Sequence, residues 1–356
     1  MERKLLKNNL LGTSCLAENN LNIDDSGFGT RDHRDHYSPN KRVTYPPIFT
    51  WPAQPIATLK WFFGFPGYFL PWNTFYVVIG MISWYWLSPP LEKMATPTLS
   101  LFMLIFFRNT ILVTAYYGIF HLRLYIQRQQ GTCFKFNPSW TSVNNKKFLF
   151  KNQTTDNLIL TFSCGVTIWA GLEVGMLWLA ANSFINIISV SEHPIYFMFV
   201  VLTIHLWRDF HFYLIHRLIH WGPLYRFVHH VHHKNNNPGP WSGLAMHPVE
   251  HLLYFSCALI YLLLPFHPAF AVICLAHAGL SPAPGHSGFE RITVDKNRSV
   301  DIDGYAHYLH HKYFECNYAD GILPLDKWFG SFHDGSPESN ERMKKRLIEK
   351  SLKRPL

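Results

Sequence analysis

The distribution of apolar residues constrains the fold of this chain more than any other feature of its sequence. Four apolar stretches begin near Trp72, at Leu99, at Leu158 and at Pro194. Each approaches the length of about 20 residues that a helix needs to cross a bilayer. Only 15% of the residues are charged, well below the roughly 25% of a typical soluble domain. The pattern therefore predicts about four transmembrane helices.

A fifth apolar region, over residues 252–280, differs because Pro265 and Pro268 interrupt it. Proline ends or kinks a helix, and each half has only about a dozen residues, too few to cross a bilayer alone. We therefore expect a re-entrant helical hairpin that enters the membrane and returns on the same side. The predicted fold class is an all-α integral membrane protein.

Positive charge predicts the orientation in the membrane. The tail from Arg342 to Arg354 has seven Lys or Arg residues against one Glu. Basic residues are enriched on the cytosolic side, so both termini are predicted to be cytosolic, and the stretch that begins at Pro194 delivers its C-terminal end there. A further basic loop lies between the second stretch and the first acidic residue after it, Asp156, and contains Arg123, Arg128, Lys135, Lys146, Lys147 and Lys151.

The same charges bear on partners and localisation. The formal net charge is +9, but the basic residues lie in loops and in the tail, so no nucleic-acid partner is predicted. Under this orientation the sequons at Asn152 and Asn297 are cytosolic and carry no glycan. Lys353 and Arg354 resemble a signal for retrieval to the endoplasmic reticulum, the expected location in a eukaryote. An ordinary basic flank is the alternative.

Cysteine spacing gives a negative expectation. The six cysteines are scattered along the chain without Cys-x-x-Cys spacing. The pattern therefore predicts neither a disulfide framework nor a zinc knuckle. Residues 1–50 also contain no apolar segment of the kind that marks a cleaved signal peptide.

Histidine is concentrated in one region of the chain. Of the 21 histidines, 16 fall between His205 and His311. One HxxxH and two HxxHH patterns occur there, and these spacings place imidazoles on one face of a helix. Neutral imidazole is the commonest ligand of transition metals. The predicted ligands are His216, His220, His229, His232, His233, His307, His310 and His311. One ion cannot use all eight, so two metals are implied.

Helical periodicity sorts the residues near the HxxxH pattern. Asp209 shares a stripe with His216, and Tyr213 lies at its edge. We expect Asp209 to orient an imidazole or to balance metal charge, with a salt bridge to a neighbouring arginine as the alternative. Asp209 and Tyr213 are the predicted catalytic residues. His211 points the opposite way and is expected to be structural, whereas His205 lies more than two turns deeper and is not predicted to be a ligand.

The order of these patterns resembles that of the fatty-acid-hydroxylase/sterol-desaturase superfamily. The matching segments are "DFHFYLIHRLIH", "HHVHHK", "MHPVEH", "GHSGF" and "HYLHHKYFECNYAD", within roughly residues 195–335. The resemblance implies that the eight histidines above bind metal and adds His286 as a ninth ligand. It also matches His247 to a ligand position, although His247 and Pro248 could equally begin a helix.

Other histidines of the region are treated differently. His230 occupies a position where members of the superfamily often have lysine, so it is left out of the ligand set. His251 and His277 complete none of the three patterns. Their roles, like that of His205, stay open at this point.

The resemblance also implies the cofactors, the substrate and the electron donor. Two iron ions, which zinc can replace on purification, would use O2 as co-substrate to oxidise a lipid C–H bond. The segments "NPGPWSGLAMHP" and "LSPAPGHSGF" favour the sterol-desaturase branch and hence a sterol. Electrons would come from a donor of the cytochrome b5 or ferredoxin type. The oligomeric state does not follow from the sequence.

Three alternatives remain. Hydroxylation of a sterol or fatty acyl chain begins with the same hydrogen abstraction as desaturation, and no motif separates the two. Acyl-CoA desaturases are a second alternative. They have a longer interval between their first two histidine patterns than the eight residues between His220 and His229, which argues against this class. A non-redox zinc-binding membrane protein is the alternative of another class, although a zinc hydrolase would need a base such as that of HExxH, which does not occur here.

The sequence predicts four regions. Residues 1–55 form a polar cytosolic segment, 56–190 the N-terminal transmembrane hairpins, 191–335 the histidine-box catalytic domain and 336–356 a basic cytosolic tail. The complete fold prediction is about four transmembrane helices and a re-entrant hairpin, with a cytosolic histidine-rich cap that holds two metals.

Overall fold

Helices that follow the apolar stretches form the membrane part of the protein. The computed structural model describes Cys15 and residues 23–295, 298–319 and 321–352. The sequon residue Asn297 and the basic pair Lys353 and Arg354 lie outside the described residues, as does most of the chain before residue 23.

Five helices precede the histidine patterns. They are α1 (Pro55–Phe63), α2 (Trp72–Leu87), α3 (Leu99–Ile126), α4 (Gln153–Ala181) and α5 (Pro194–Ile219). The last three are long and apolar enough to cross a membrane, which confirms the predicted helical membrane fold. α2 has only 16 residues, or about 24 Å at 1.5 Å per residue, so the fourth span stays a prediction.

Local sequence explains where the long helices begin. The Thr98 side chain accepts a hydrogen bond from the amide of Leu101 at the start of α3. The Asn152 Oδ1 atom accepts one from the amide of Thr155, at 3.1 Å, at the start of α4. Pro194 occupies the first turn of α5, where a missing N–H costs no helical hydrogen bond.

The solitary charges of the second and third apolar stretches form an ion pair between α3 and α4. Arg108 Nη2 lies 2.5 Å from Glu173 Oε2, and both side chains are buried. Arg108 Nη1 also donates to the Ser88 hydroxyl at 2.9 Å. The pairing lowers the cost of placing two charges in an apolar layer.

The fifth apolar region returns on itself, as its prolines predict. A short helix, α6, first covers residues 222–233, with a π-helical turn at Tyr225–His229. Then α7 (Pro248–Leu262) and α8 (Pro268–Leu280) run in opposite directions, and the four-residue helix α9 (Pro282–Gly285) follows.

The hairpin of α7 and α8 packs against the other membrane helices. At its turn, the Phe266 amide donates to the Asn186 carbonyl at 3.1 Å, which joins it to the connection between α4 and α5. All 13 residues of α8 are buried. A Cβ added to Gly80 of α2 would lie 2.6 Å from the Ile273 Cα, so glycine permits the close packing of α2 against α8.

Short strands and helices complete the cap beside α6. The antiparallel pairs are β1 (Gly29–Arg31) with β2 (Tyr37–Pro39), and β3 (Arg291–Thr293) with β4 (Ser299–Asp301). The remaining helices are α10 (Tyr305–Tyr313), α11 (Leu325–Trp328) and α12 (Pro337–Leu352).

One expectation about cysteine is wrong. Cys15 and Cys133, 118 residues apart in the sequence, form a disulfide that ties the N-terminal segment to the loop after α3. Reasoning from local spacing could not detect a pair that only the fold brings together. The other four cysteines are buried thiols.

Candidate metal centre

Nine histidines converge in two neighbouring groups. Within each group, the candidate ligand atoms all lie within 4.8 Å of one another. The first group contains His216, His220, His229, His233 and His310. The second contains His232, His286, His307 and His311.

Each HxxHH pattern supplies both groups. On α6, His229 and His233 are four residues apart and belong to the first group, while His232 belongs to the second. On α10 the assignment is reversed, because His307 and His311 join the second group and His310 the first. Residues four apart share one helical face and the third imidazole is rotated away from it, so one such helix can serve two neighbouring ions.

The spacing of the Nε2 atoms fits a shared central ion in each group. In the first group, the Nε2 atoms of His220, His233 and His310 are 3.1–3.2 Å apart. In the second, His286 Nε2 lies 3.2 Å from that of His232 and 2.8 Å from that of His307. Nitrogens bound about 2.1 Å from one ion are separated by about 3.0–3.4 Å in octahedral or tetrahedral geometry. The residues therefore fit two metal ions.

The opposite ring nitrogen of several imidazoles is held by the protein. His216 Nδ1 lies 2.7 Å from the Tyr318 carbonyl oxygen, and His310 Nδ1 lies 2.8 Å from that of Cys316. His229 Nδ1 lies 2.7 Å from Glu250 Oε1. An Nδ1–H that donates to such an acceptor leaves the Nε2 lone pair free and fixes the ring orientation.

Burial keeps these imidazoles neutral. Desolvation lowers the pKa of His232 to about 4 and that of His310 to about 3. It also lowers the pKa of His233, His286 and His311 well below its ordinary value. A neutral imidazole can donate its lone pair to a metal, whereas an imidazolium cannot.

A small void of 10 Å³ lies beside both groups. His216 and His229 of the first group and His232 and His286 of the second line it, together with Phe212 and Met246. Its size suits one small molecule such as water. Arg208 lines this void and also a larger cavity of 480 Å³, whose wall is formed both by the membrane helices and by residues of the cap such as Lys41, Asp303 and Asn317.

The two predicted catalytic side chains lie outside both groups. Asp209 Oδ2 accepts a hydrogen bond from the Ile322 amide at 2.7 Å, and no hydrogen bond to an imidazole is formed by Asp209 within the described residues. The role predicted for it, orienting an imidazole, belongs in the structure to Glu250. Tyr213 packs against Tyr318 and Leu325 and belongs to neither group.

His247 is the one predicted ligand that the fold does not bring to the others. Its Nδ1 atom accepts a hydrogen bond from the Val249 amide and begins α7, which is the alternative that Pro248 indicated. We therefore remove His247 from the ligand set. His211, expected to be structural, lies outside both groups, with Nε2 2.9 Å from the Ser256 hydroxyl.

Glu250 is a site residue that sequence reasoning missed. It follows His247 by three residues in "MHPVEH" and belongs to none of the histidine patterns. Only the fold shows that its carboxylate meets His229 from a helix 21 residues away in the chain.

Comparison with known proteins supports the same region. Residues 201–331 match the fatty acid hydroxylase family. A Delta(7)-sterol 5(6)-desaturase of Gibberella zeae is 32% identical over 151 residues, which cover 37% of this chain and 41% of that protein. No solved structure matches.

Two further relatives cover a similar part of the chain. A Delta(7)-sterol 5(6)-desaturase of Eremothecium gossypii is 30% identical over 153 residues, 42% of each protein. A Dictyostelium discoideum protein, provisionally named a methylsterol monooxygenase, is 28% identical over 139 residues, which cover 38% of this chain and 51% of that protein. The chain thus spans about two fifths to one half of the length of these curated relatives.

Proposed function

We propose that this chain, whose residues 201–331 match the fatty acid hydroxylase family, is a member of the fatty acid hydroxylase/sterol desaturase superfamily and an O2-dependent oxidoreductase of a membrane lipid. Sterol is the favoured substrate class and desaturation the favoured reaction. The observation that carries the proposal is the convergence of nine neutral imidazoles in two adjoining groups beside a cavity lined in part by membrane helices.

The proposed metal sites follow the two groups. His216, His220, His229, His233 and His310 would hold one ion, and His232, His286, His307 and His311 the other. Two bound irons would supply the redox chemistry with O2 that oxidises a C–H bond. All-nitrogen sites also bind zinc well, so purified protein can contain zinc although zinc has no redox chemistry.

The chain's own residues position and shield the site. Glu250 and the carbonyls of Cys316 and Tyr318 hold the Nδ1 protons of three imidazoles and so orient their rings. Eight of the nine histidines are buried and His220 is half-buried, which excludes bulk water, and the rings of Phe212 and Tyr254 give the void an apolar wall. Such a wall suits a hydrocarbon better than a hydrated substrate.

The larger cavity supports a lipid substrate. Its volume is 480 Å³, and aromatic side chains of α1, α2 and the intervening loop contribute Trp61, Tyr68 and Trp72 to its wall. Arg208 lines both this cavity and the void beside the histidines, so a lipid in the cavity would adjoin the proposed metal sites. The names of the relatives favour a sterol.

Localisation and electron supply complete the proposal. Three helices that are long and apolar enough to cross a membrane support an integral membrane protein, and the endoplasmic reticulum is the location that we propose for a eukaryotic chain. We place the histidine cap in the cytosol. There the exposed Lys146, Lys147 and Lys151 would attract an acidic donor of the cytochrome b5 or ferredoxin type.

A glycosidase assay tests the orientation. With the cap in the cytosol, a chain expressed in eukaryotic cells shows no glycosidase-sensitive mass shift at Asn152, which begins α4. The Cys15–Cys133 disulfide supplies a second readout, because stable disulfides are rare in the cytosol. A glycan at Asn152, together with complete oxidation of this cysteine pair in cells, would place the cap on the opposite side.

Reconstitution tests the reaction. Protein freed of metal and loaded anaerobically with iron is expected to consume O2 when a sterol and reduced cytochrome b5 are added. Mass spectrometry then separates a product with two hydrogens fewer, the desaturation that we favour, from one with an additional oxygen, the hydroxylation that the Dictyostelium relative supports. A zinc-loaded protein that performed the reaction at full rate would contradict the redox proposal and favour the zinc alternative.

A further inference from the structure

Two buried histidines outside the metal groups share the wall of the 480 Å³ cavity. His205 lies on α5 and His277 on α8, and their ring centroids are 4.6 Å apart. Their exposed fractions are only 3% and 4%, respectively. The ring of Tyr76, on α2, packs edge-on against His277 with its centroid at 4.8 Å. Three helices therefore converge on this imidazole pair.

Both imidazoles have a ring nitrogen without a protein partner. The buried Nδ1 atoms of His205 and His277 form no hydrogen bond within the described part of the chain. A buried polar atom left unpaired is unfavourable, so two imidazoles in a cavity wall whose hydrogen bonds the described residues do not complete indicate a polar group of a ligand.

His251 shows how a purely structural histidine in this protein differs. It is also buried, but its Nδ1 lies 3.2 Å from the Cys164 sulfur and its Nε2 lies 3.1 Å from the Leu244 carbonyl oxygen. His251 is absent from the cavity wall. The difference separates a histidine whose hydrogen bonds are complete from two whose hydrogen bonds are not.

We propose that His205 and His277 form a subsite that binds the hydroxyl group of the lipid substrate. The inference rests on the proposed lipid-oxidising function and specifies the polar group that the cavity accepts. A hydroxyl donates one hydrogen bond and accepts another. Each neutral imidazole has one donor and one acceptor nitrogen, so the pair can satisfy both needs at once.

A carboxylate fits the subsite less well than an alcohol. It has no hydrogen to donate when ionised and would need a cation to compensate its burial. Each cation that lines the cavity already has a partner in the chain. Arg208 donates to the Tyr254 hydroxyl at 2.5 Å and has the Asp209 carboxylate at 4.0 Å. Lys41 pairs with the Asp301 and Asp303 carboxylates, and Arg42 lies 3.9 Å from that of Asp334. The structure therefore favours a neutral alcohol over a fatty acid.

Binding without turnover tests the subsite. Metal-loaded, full-length protein in detergent is kept anaerobic and without reductant, and its affinity is measured for three steroids that share one ring skeleton. One carries a 3β-hydroxyl, the second a 3-ketone and the third only hydrogen. We expect the alcohol to bind most tightly, the ketone next, since it only accepts, and the hydrocarbon most weakly. Each lost hydrogen bond should weaken binding by up to roughly tenfold.

Variants connect this preference to the two residues. His205→Leu and His277→Leu should each reduce the preference for the alcohol over the hydrocarbon while metal content and hydrocarbon affinity stay unchanged. His205→Gln and His277→Gln keep a donor and an acceptor, so they should retain part of the preference for the alcohol. If a leucine variant fails to fold, the glutamine variant at the same position is measured in its place. His211→Leu is the matched control on α5, because His211 bonds to Ser256 and does not line the cavity.

The outcomes are distinct from those for the reaction. An unchanged alcohol preference in the His205 and His277 variants would overturn the subsite, as would a wild-type protein that binds the hydrocarbon, or a fatty carboxylate, as tightly as the alcohol. Because no turnover is needed, these results do not depend on whether the reconstituted protein oxidises a sterol.

Discussion

The chain buries ionisable side chains in two regions and compensates them in different ways. Between α3 and α4, Arg108 and Glu173 neutralise one another at 2.5 Å. In the cap, nine imidazoles converge in two groups, with Nε2 atoms as little as 2.8 Å apart. No member of these groups is an acidic residue or a cation that could compensate another member. The charges of the first region compensate one another within the chain, whereas the second needs positive ions to satisfy its lone pairs. Folding alone accounts for the ion pair, but only function accounts for the histidine groups.

The largest expected effect is the loss of a proposed ligand. His233→Ala in the first group or His307→Ala in the second should lower metal affinity by more than the 10- to 100-fold that is typical of changes around a ligand, and should abolish the proposed sterol oxidation. The membrane helices should persist, since each satisfies its own backbone hydrogen bonds. Metal per protein, measured by mass spectrometry, and helical content, measured by circular dichroism, check this.

His211→Ala is the control for the ligand variants. It lies on the same helix as His216 but outside both groups, so metal content and activity should remain. Full activity of the His233→Ala protein would contradict the view that the histidine groups, unlike the Arg108–Glu173 pair, serve function.

The ion pair should respond in the opposite manner. Glu173→Ala leaves Arg108 buried without its carboxylate, which we expect to cost about 3–5 kcal/mol in free energy of unfolding. Molecules that remain folded should keep both metals. Denaturant unfolding in detergent and metal analysis of the folded fraction provide the measurements.

A double variant sharpens this prediction. Arg108→Met combined with Glu173→Leu removes both charges, so most of the lost stability should return. If Glu173→Ala instead released metal while stability stayed unchanged, the ion pair would be part of the functional site and the comparison would fail.

An intermediate effect is expected at Glu250, which connects a buried carboxylate to a proposed ligand. Glu250→Ala removes the acceptor of the His229 Nδ1 proton, so metal affinity should fall by about 10- to 100-fold. Glu250→Gln keeps an acceptor oxygen and should lose less. Competition with a chelator measures both. Equal affinities for wild type and Glu250→Ala would mean that His229 needs no orientation by this residue.

The sequence predicted what depends on local patterns. Apolar length identified the spans of α3 to α5, and helical spacing identified imidazoles that the fold then gathers. His286 could be named only by resemblance, because it belongs to no repeated pattern. The division of each HxxHH pattern between two groups was also beyond prediction, because it depends on how α6 and α10 face one another.

Contacts between distant segments escaped the sequence for a physical reason. Glu250 and His229, Arg108 and Glu173, and Cys15 and Cys133 are each joined only by tertiary packing. Helical periodicity placed Asp209 on the same stripe of α5 as His216. It could not show that the Asp209 carboxylate accepts its hydrogen bond from the Ile322 amide. Periodicity predicts the side of a helix from which a side chain projects, but it does not identify the residues that pack against that side.

The smallest expected effect concerns His247, which the resemblance matched to a ligand position and the structure places at a helix start. Replacing a side chain that accepts a hydrogen bond at this position costs about 1 kcal/mol. Pro248 remains to fix the first turn, so His247→Ala should lower the free energy of unfolding by no more than that amount. Metal content and activity should be unchanged, because its Nδ1 faces the Val249 amide. Release of one metal equivalent from the His247→Ala protein would return His247 to the ligand set and show that the cap rearranges when it binds metal.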